Sequence, residues 1–242
     1  MAARAAIVVG VGAQSGLGAA LARRFAREGL CVVLVGRTLE RLELVATDIR
    51  ANGGKARVAV ADVTNEDEVT ALINTLEAPE TLELVVYNVG SNVMVPSLEM
   101  HAADFEDMWR QNALGGFLIG RQAIRTMLPC KRGSVIYTGA TASLRARPGF
   151  MAFASAKAAL RAVAQGFARE FGPQGIHVAH VVIDGVIRGD YARERFAGFV
   201  KAKGSDGLLE LDDIAETYWT LHQQPRSAWT HELDLRPFKE AF

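Results

Sequence analysis

This chain of 242 residues contains little cysteine and no long apolar run. Its two cysteines, Cys31 and Cys130, lack the CxxC spacing of a redox or zinc motif, so we expect neither a disulfide framework nor a metal site. No apolar stretch approaches the ~20 residues of a membrane span, and no basic start precedes a long apolar leader. These absences predict a cytoplasmic protein without a membrane partner.

An excess of charge is also missing. The sequence has 27 basic and 27 acidic side chains, which gives a formal net charge of zero. A neutral chain has no broad positive field to attract a nucleic-acid backbone or anionic lipid. We therefore expect small-molecule partners and no nucleic acid.

The chain is instead rich in apolar residues, at 50% of the sequence, and these alternate between short β-branched runs and longer segments with helical spacing. Strand and helix repeated in this order require right-handed crossovers, with helices on both faces of a parallel sheet. We predict one doubly wound, Rossmann-type α/β domain over residues 1–242, with a parallel sheet of about seven strands. The predicted strands are 5–10, 31–36, 56–60, 83–87, 133–138, 176–183 and 231–236, and the predicted helices are 16–29, 39–52, 65–77, 103–129 and 151–172.

One segment departs from this alternation. Residues 186–209 follow the sixth predicted strand and are rich in charge and glycine. Such a segment is either a lid over a substrate or an ordinary surface excursion, and the sequence favours neither.

A cluster of glycines joins the first strand to the first helix. Glycines at this place let the backbone turn tightly, approach a pyrophosphate and direct the amides of the helix N-terminus at its charge. The sequence therefore predicts a dinucleotide-binding turn made by Gly12, Ser15, Gly16, Leu17 and Gly18.

The second strand ends in Gly36 and Arg37, where a site that prefers NAD would hold a carboxylate for the ribose hydroxyls. A guanidinium binds a 2′-phosphate with paired hydrogen bonds, so Arg37 favours NADP(H) over NAD(H). The alternative is that Arg37 is a solvated loop charge beside Arg41.

Further motifs complete a recognisable set. Asp62 and Val63 follow the third strand, and Asn88 and Gly90 follow the fourth. Together with the spacing of the glycine turn, these residues show that the chain resembles the short-chain dehydrogenases/reductases. The resemblance extends to the strand at 231–236. One departure is Val11, which replaces the usual threonine. The resemblance implies that Asp62, Val63, Asn88 and Gly90 contact the cofactor. Asp62 is nearly as well explained as a helix cap.

The same resemblance implies a catalytic asparagine, serine, tyrosine and lysine. Asn112 and Lys157 match two of them, and Lys157 would also bind the nicotinamide ribose. Phe153 stands at the tyrosine position and Ala140 at the serine position. A phenyl ring has no exchangeable proton, so both the acid and the hydroxyl that polarises the substrate are missing from this atypical site.

Several groups offer a replacement. Thr141 is our first candidate for the polarising hydroxyl, although it is equally consistent with a role in satisfying loop backbone. A water held by Lys157 and Asn112 is a second route for the proton. Other hydroxyls in reach of the site are Tyr137, Thr138, Ser143 and Tyr191.

Beyond the sixth strand, Asp184 and Gly185 stand where the family has a Pro-Gly pair. By resemblance, Gly185 and Ile187 lie along the nicotinamide carboxamide through their main chain. Asp184 is either a replacement acid or the ion-pair partner of Arg188. His177 and His180 are three residues apart on one strand and should face opposite sides, so we expect no shared metal.

Two functions remain open. The leading hypothesis is an NADP(H)-dependent oxidoreductase acting on a small carbonyl or alcohol, and the resemblance implies a homodimer or homotetramer. The alternative is a catalytically silent protein that holds NADP(H) as a sensor or a structural ligand. Non-redox chemistry at Lys157 or Asp184 is a third, less favoured interpretation.

Overall fold

The structure is a computed structural model that describes residues 3–240 apart from 77–80, 91, 196 and 205. Its seven strands confirm the predicted parallel sheet, and each lies within two residues of its predicted bounds. The strands are Arg4–Val9 (β1), Cys31–Gly36 (β2), Lys55–Val60 (β3), Thr81–Tyr87 (β4), Ser134–Thr138 (β5), His177–Ile183 (β6) and Glu232–Leu235 (β7).

The strand order is β3-β2-β1-β4-β5-β6-β7, and every neighbouring pair is parallel. The order reverses between β1 and β4, which is where ligands bind in doubly wound sheets. Val9 pairs with Tyr87 at that boundary, and the Asn88 amide donates to the Val9 carbonyl at 2.9 Å. The two segments that leave β1 and β4 therefore begin side by side.

The described residues form nine α-helices, and four of the five predicted ones are confirmed with shifted ends, while 103–129 is divided into two. Within this part of the chain, no helix is long and apolar enough to cross a membrane. The helices are Leu17–Arg27 (α1), Leu39–Ala51 (α2), Glu66–Asn74 (α3), Ala102–Trp109 (α4), Gly115–Met127 (α5), Met151–Phe171 (α6), Asp190–Arg195 (α7), Ala197–Lys203 (α8) and Leu211–Gln223 (α9).

Three of these helices were not predicted. The short helices α7 and α8 lie in the segment 186–209, which is therefore partly helical. Helix α9 buries Ile214, Ala215, Tyr218 and Leu221, an apolar stripe at helical spacing that the sequence interpretation overlooked.

Two cores flank the sheet. Helices α1, α2 and α9 cover one face, while α3, α5 and α6 cover the other. The apolar side chains of the strands are buried in these two cores on both faces of the sheet. The strand sequences are therefore nearly continuous β-branched runs. The candidate site lies at the carboxyl ends of the strands.

The predicted helix 103–129 is interrupted in its middle. Between α4 and α5 the chain makes a π-helical turn over Arg110–Leu114, which carries the buried Asn112. A π turn holds one more residue than an α turn, and such turns are frequent at functional sites. Nothing in the apolar spacing predicted it.

Candidate active site

The glycine turn is tight on its inner side and open on its outer side. Gly10 has a φ of +90°, and a Cβ there would lie 2.4 Å from the Asn88 carbonyl oxygen. A Cβ on Gly18 would lie 2.7 Å from the Gly10 carbonyl oxygen, so α1 packs directly onto the turn. A Cβ on Gly12 would meet no atom within 4 Å. The turn therefore has the shape of a cradle for a group that approaches from Gly12.

The start of α1 gives this cradle its polarity. The helix begins at Leu17 after Gly16, and no side chain caps its first amides. Free amides and the helix dipole both favour an anion at this point. The predicted pyrophosphate site thus fits the turn in shape and in charge.

One carboxylate of the chain already lies against the cradle. The Ser15 amide donates to Asp190 Oδ2 at 3.3 Å, and the Asp190 amide donates to the Ser15 carbonyl at 3.2 Å. A Cβ on Gly189 would lie 2.6 Å from the same carbonyl oxygen. Helix α7, at the front of the segment 186–209, is therefore docked on the glycine turn.

The ends of β2 and β3 hold Arg37 and Asp62 near each other. Both are exposed, and the Asp62 carboxylate accepts from the Thr64 amide at 2.9 Å and the Thr64 hydroxyl at 2.8 Å. These two hydrogen bonds, helped by the charge of Arg37, lower the pKa of Asp62. Asn65 caps α3 by accepting from two amides, so the helix-cap interpretation of Asp62 is wrong. The adjoining Val63 is buried.

Lys157 and Asn112 converge beyond the end of β4. Lys157 is 4% exposed, and its ammonium donates to the carbonyls of Val89 at 3.0 Å and Thr138 at 2.9 Å. A Cβ on Gly90 would lie 3.0 Å from Lys157 Nζ and 2.7 Å from Asn112 Oδ1. Burial lowers the pKa of Lys157 to about 7.

One polar atom of Asn112 has no hydrogen-bond partner among the described residues. Its amide nitrogen donates to the Met108 carbonyl at 2.8 Å, whereas its Oδ1 is buried without a hydrogen bond from any described residue. A buried oxygen without a partner is costly, and a bound water commonly satisfies it. The position beside Gly90 therefore suits a water between Asn112 and Lys157.

Phe153 lies one helical turn before Lys157 on α6. The Lys157 ammonium is 5.8 Å from the centre of the Phe153 ring, a cation–π distance. The ring is partly exposed, as an acidic side chain at this position would have to be. It fills the predicted place of the acid without offering a proton.

Two of the replacement hydroxyls are committed to the interior. The Tyr137 hydroxyl donates to the Gly116 carbonyl at 3.2 Å, and the Thr138 hydroxyl lies 2.9 Å from the Tyr218 hydroxyl. Both tyrosine rings are fully buried, and burial raises their pKa values far above the usual range. Neither tyrosine can serve as an acid near neutral pH.

Ser143 belongs to a buried network that the sequence did not reveal. Its hydroxyl accepts from the Ala140 amide at 3.1 Å and lies 3.4 Å from His180 Nε2. His180 Nδ1 is 2.9 Å from Glu232, whose carboxylate also binds Arg161 through two hydrogen bonds of 2.6 Å. These residues come from a loop, β6, β7 and α6, so only the fold brings them together.

The charge state of this network is set by burial and by Arg161. Burial lowers the pKa of His180 to about 4, while the hydrogen bond from Arg161 lowers the pKa of Glu232 to about 2. At neutral pH a neutral His180 donates from Nδ1 to an ionised Glu232. The Ser143 hydroxyl can then donate to His180 Nε2, and this contact fixes the position of the Ser143 side chain.

Asp184 does not pair with Arg188, which corrects that expectation. Arg188 is bound to Glu210 at 2.5 Å, whereas Asp184 is bound to Arg236 at 2.6 Å. Asp184 also accepts a hydrogen bond from the Thr141 hydroxyl. Arg236 follows β7. This strand pairs with β6 in the sheet although the two are far apart in sequence, so the sequence did not indicate the contact.

The remaining candidates lie around the same edge of the sheet. A Cβ on Gly185 would lie 2.6 Å from Pro237 Cδ, and Ile187 forms a β-bridge with Leu209. The Tyr191 hydroxyl lies 3.4 Å from both the carbonyl and the side-chain Oδ1 of Asn92. Within the described ranges, no three histidine, cysteine or acidic residues are grouped as a metal would require.

Comparison with known proteins identifies the family. The short chain dehydrogenase family model matches residues 5–198. The gluconate 5-dehydrogenase of Gluconobacter oxydans (strain 621H) is 32% identical over 219 residues, which cover 90% of this chain and 79% of that protein.

Two solved structures extend the likeness over the fold. A short-chain dehydrogenase from Rhodopseudomonas palustris is 40% identical, has a TM-score of 0.82 and covers 98% of this chain and 99% of its own. A gluconate 5-dehydrogenase from Burkholderia cenocepacia J2315, crystallised with NADP and tartrate, is 23% identical with a TM-score of 0.84, covering 98% and 95%. The family match, the relative and the parallel sheet with its glycine turn lead to one conclusion: the chain belongs to the short-chain dehydrogenase family of oxidoreductases.

Proposed function

We propose that this protein is an NADP(H)-dependent oxidoreductase that acts on a small carbonyl or alcohol. The observation that carries the proposal is the convergence of Lys157 and Asn112 beside Gly90, next to the open glycine turn. Burying a lysine costs free energy, which favours a functional role for Lys157. The residue also lies at the topological switch of the sheet, where ligands bind in such folds.

The residues around the cradle fit a dinucleotide. Gly12 leaves room for the pyrophosphate, the uncapped start of α1 at Leu17 would face its charge, and Gly18 lets α1 approach. Ser15 and Gly16 would form the rest of the turn. The bound nicotinamide would supply hydride transfer. Lys157 would hold the ribose through its remaining N–H, and Asn112 Oδ1 would hold a water next to it.

The preference for NADP(H) over NAD(H) rests on Arg37. Its side chain is exposed at the end of β2 and close enough to Asp62 to influence that carboxyl. A guanidinium in this place would bind a 2′-phosphate in two hydrogen bonds. Asp62 and the main chain at Val63 would contact the adenine, and Asn88 and Gly90 would support the nucleotide from β4.

Other parts of the proposal come from the relatives. Gluconate 5-dehydrogenase is the named activity of one relative and of one structural neighbour, so a polyhydroxy acid is a suitable first probe. We also propose a homodimer or homotetramer in the cytoplasm. Cys31 and Cys130 form no disulfide, which is compatible with a reducing compartment.

The test begins with calorimetric titration of the purified protein with NADPH and with NADH. The proposal expects NADPH to bind more tightly, followed by turnover of at least one member of a panel that includes D-gluconate, its 5-keto product and simple aldehydes and ketones. Loss of that turnover in Lys157→Ala would support the site. Failure of both cofactors to bind would overturn the proposal, and NADPH binding without any turnover would instead support a silent binding protein.

A further inference from the structure

We propose that Thr141 and Asp184 form a proton-accepting pair that takes the place of the missing tyrosine when an alcohol is oxidised. This inference rests on the proposed function. It adds the residues that receive the substrate proton.

The direction of one hydrogen bond carries the inference. The Thr141 hydroxyl donates to Asp184 Oδ1, and the other oxygen of Asp184 lies 2.6 Å from Arg236 Nη2. The Asp184 side chain is 8% exposed and the Arg236 side chain 16%. A carboxylate in an ion pair only accepts hydrogen bonds, so the single proton of Thr141 points at Asp184.

Thr141 is consequently the wrong kind of group to polarise a carbonyl. A carbonyl oxygen needs a donor, and the proton of Thr141 is already engaged. The oxygen lone pairs of Thr141 remain free, and a substrate alcohol can donate to them. The role proposed here for Thr141 is therefore the reverse of the polarising role that the sequence suggested.

Position supports Thr141 over the other hydroxyls. It adjoins Ala140, at the end of β5, and is partly exposed, whereas Thr138 and Ser143 are buried and engaged. The segment Thr141–Ser143 packs against α6, the helix that carries Lys157 and Phe153. Thr141 thus lies between the candidate substrate site and the carboxylate behind it.

The proton balance is complete with an oxidised nicotinamide as the hydride acceptor. The alcohol C–H bond breaks with its electron pair moving to that acceptor, and the C=O bond forms. The alcohol proton passes to Thr141 Oγ while the Thr141 proton passes to Asp184. In the reverse direction the same protons move back, so Asp184 begins protonated and the carbonyl oxygen receives the Thr141 proton.

Matched variants separate this role from a structural one. Thr141→Val keeps the shape and removes the relay, whereas Thr141→Ser restores the hydroxyl. Asp184→Asn keeps a hydrogen bond to Thr141 but can donate it, which would turn the Thr141 proton towards the substrate. Asp234→Asn is the control, because Asp234 also binds Arg236, at 3.1 Å, yet is 52% exposed.

The experiment uses the full chain with the panel member that wild type turns over, assayed in both directions. We expect Thr141→Val and Asp184→Asn to lower oxidation about 100-fold or more. Thr141→Ser should restore most of the rate, and Asp234→Asn should change little. Carbonyl reduction should fall by a similar factor in Thr141→Val and Asp184→Asn, because the equilibrium constant of the reaction fixes the ratio of kcat/KM in the two directions when the cofactor affinities are unchanged.

A binding measurement without turnover provides the second readout. Calorimetry of the alcohol against the NADPH complex, and of the ketone against the NADP⁺ complex, measures abortive complexes. We expect Asp184→Asn to weaken alcohol binding and strengthen ketone binding. Equal rates and affinities in the variants and wild type would overturn the relay while leaving the oxidoreductase proposal intact. Absence of any turnover by wild type would overturn both.

Discussion

The two halves of the site differ in how completely they match the residues expected of the family, and the contrast separates binding from chemistry. Around β1 and β2, the glycine turn, the uncapped start of α1 and Arg37 suit the proposed dinucleotide, and Val11 is the one departure noted there. Around β5 and α6, Lys157 and Asn112 remain, but Ala140 and Phe153 bear no hydroxyl. Cofactor contacts rely on main-chain shape, which tolerates side-chain change, whereas proton transfer depends on single atoms.

The largest effect should come from restoring the altered half. Phe153→Tyr together with Ala140→Ser would place a phenol beside Lys157 and a hydroxyl beside Thr141. General acid catalysis alone contributes roughly 10²–10⁴ in rate, so we expect carbonyl reduction to rise by that order. The measurement is kcat/KM for NADPH-dependent reduction, with Phe153→Leu plus Ala140→Ser as the control. An unchanged rate in a folded, NADPH-bound double variant would mean that the substrate pocket has changed as well.

Lys157 belongs to both halves, and its burial should be visible in stability. In the folded protein its pKa is lowered from 10.5 to about 7, so between these values the unfolded chain binds more protons. The stability of wild type relative to Lys157→Met should therefore rise with pH across this window, by up to about 1.4 kcal/mol per pH unit. Urea unfolding of the cofactor-free proteins at several pH values measures it. Lys55→Met, at an exposed strand end, is the matched control.

Arg37 tests the cofactor half. Loss of a charge-assisted pair of hydrogen bonds should weaken NADPH binding roughly 10- to 100-fold in Arg37→Ala, while NADH binding stays within a few-fold. Calorimetry measures both affinities. Arg41→Ala, an exposed arginine four residues further along, is the matched control. Equal losses for NADPH and NADH would contradict a 2′-phosphate contact.

The smallest effect concerns Asp190, whose carboxylate accepts from the Ser15 amide at 3.3 Å. A bound pyrophosphate would meet this negative charge at the edge of the cradle. We expect Asp190→Asn to tighten NADPH binding a few-fold, with the gain shrinking at high salt because screening weakens the repulsion. Glu194→Gln removes one charge from the same helix further from Ser15 and should have a lesser effect. Weaker NADPH binding in Asp190→Asn would show that the contact between Asp190 and Ser15 assists the cofactor.

Local patterns predicted the parallel sheet well, because buried strands and a glycine turn have strong sequence signals. Helix α9 was missed although Ile214, Tyr218 and Leu221 carry its spacing. The π turn at Asn112 and the network of Ser143, His180 and Glu232 could not be predicted. A π turn leaves no mark in apolar spacing, and that network joins residues up to 89 positions apart through the order of β5, β6 and β7.

The Asp184 contacts show the same limit. The sequence placed Asp184 near the site and offered Arg188 as its partner because the two are close in the chain. The fold instead brings Arg236 across from β7. Neighbours across a parallel sheet are far apart in sequence, so ion-pair partners at strand ends depend on topology.

The π turn at Arg110–Leu114 makes the register of the helix pair α4 and α5 sensitive to length. One residue corresponds to about 100° of rotation in a regular α-helix. Removing a single residue from this turn would allow an uninterrupted helix to form, with both of its apolar faces still able to pack. Asn112 would then be carried away from Gly90 and Lys157. A deletion at this point is therefore expected to raise the helical content of the protein while removing Asn112 Oδ1 from the site.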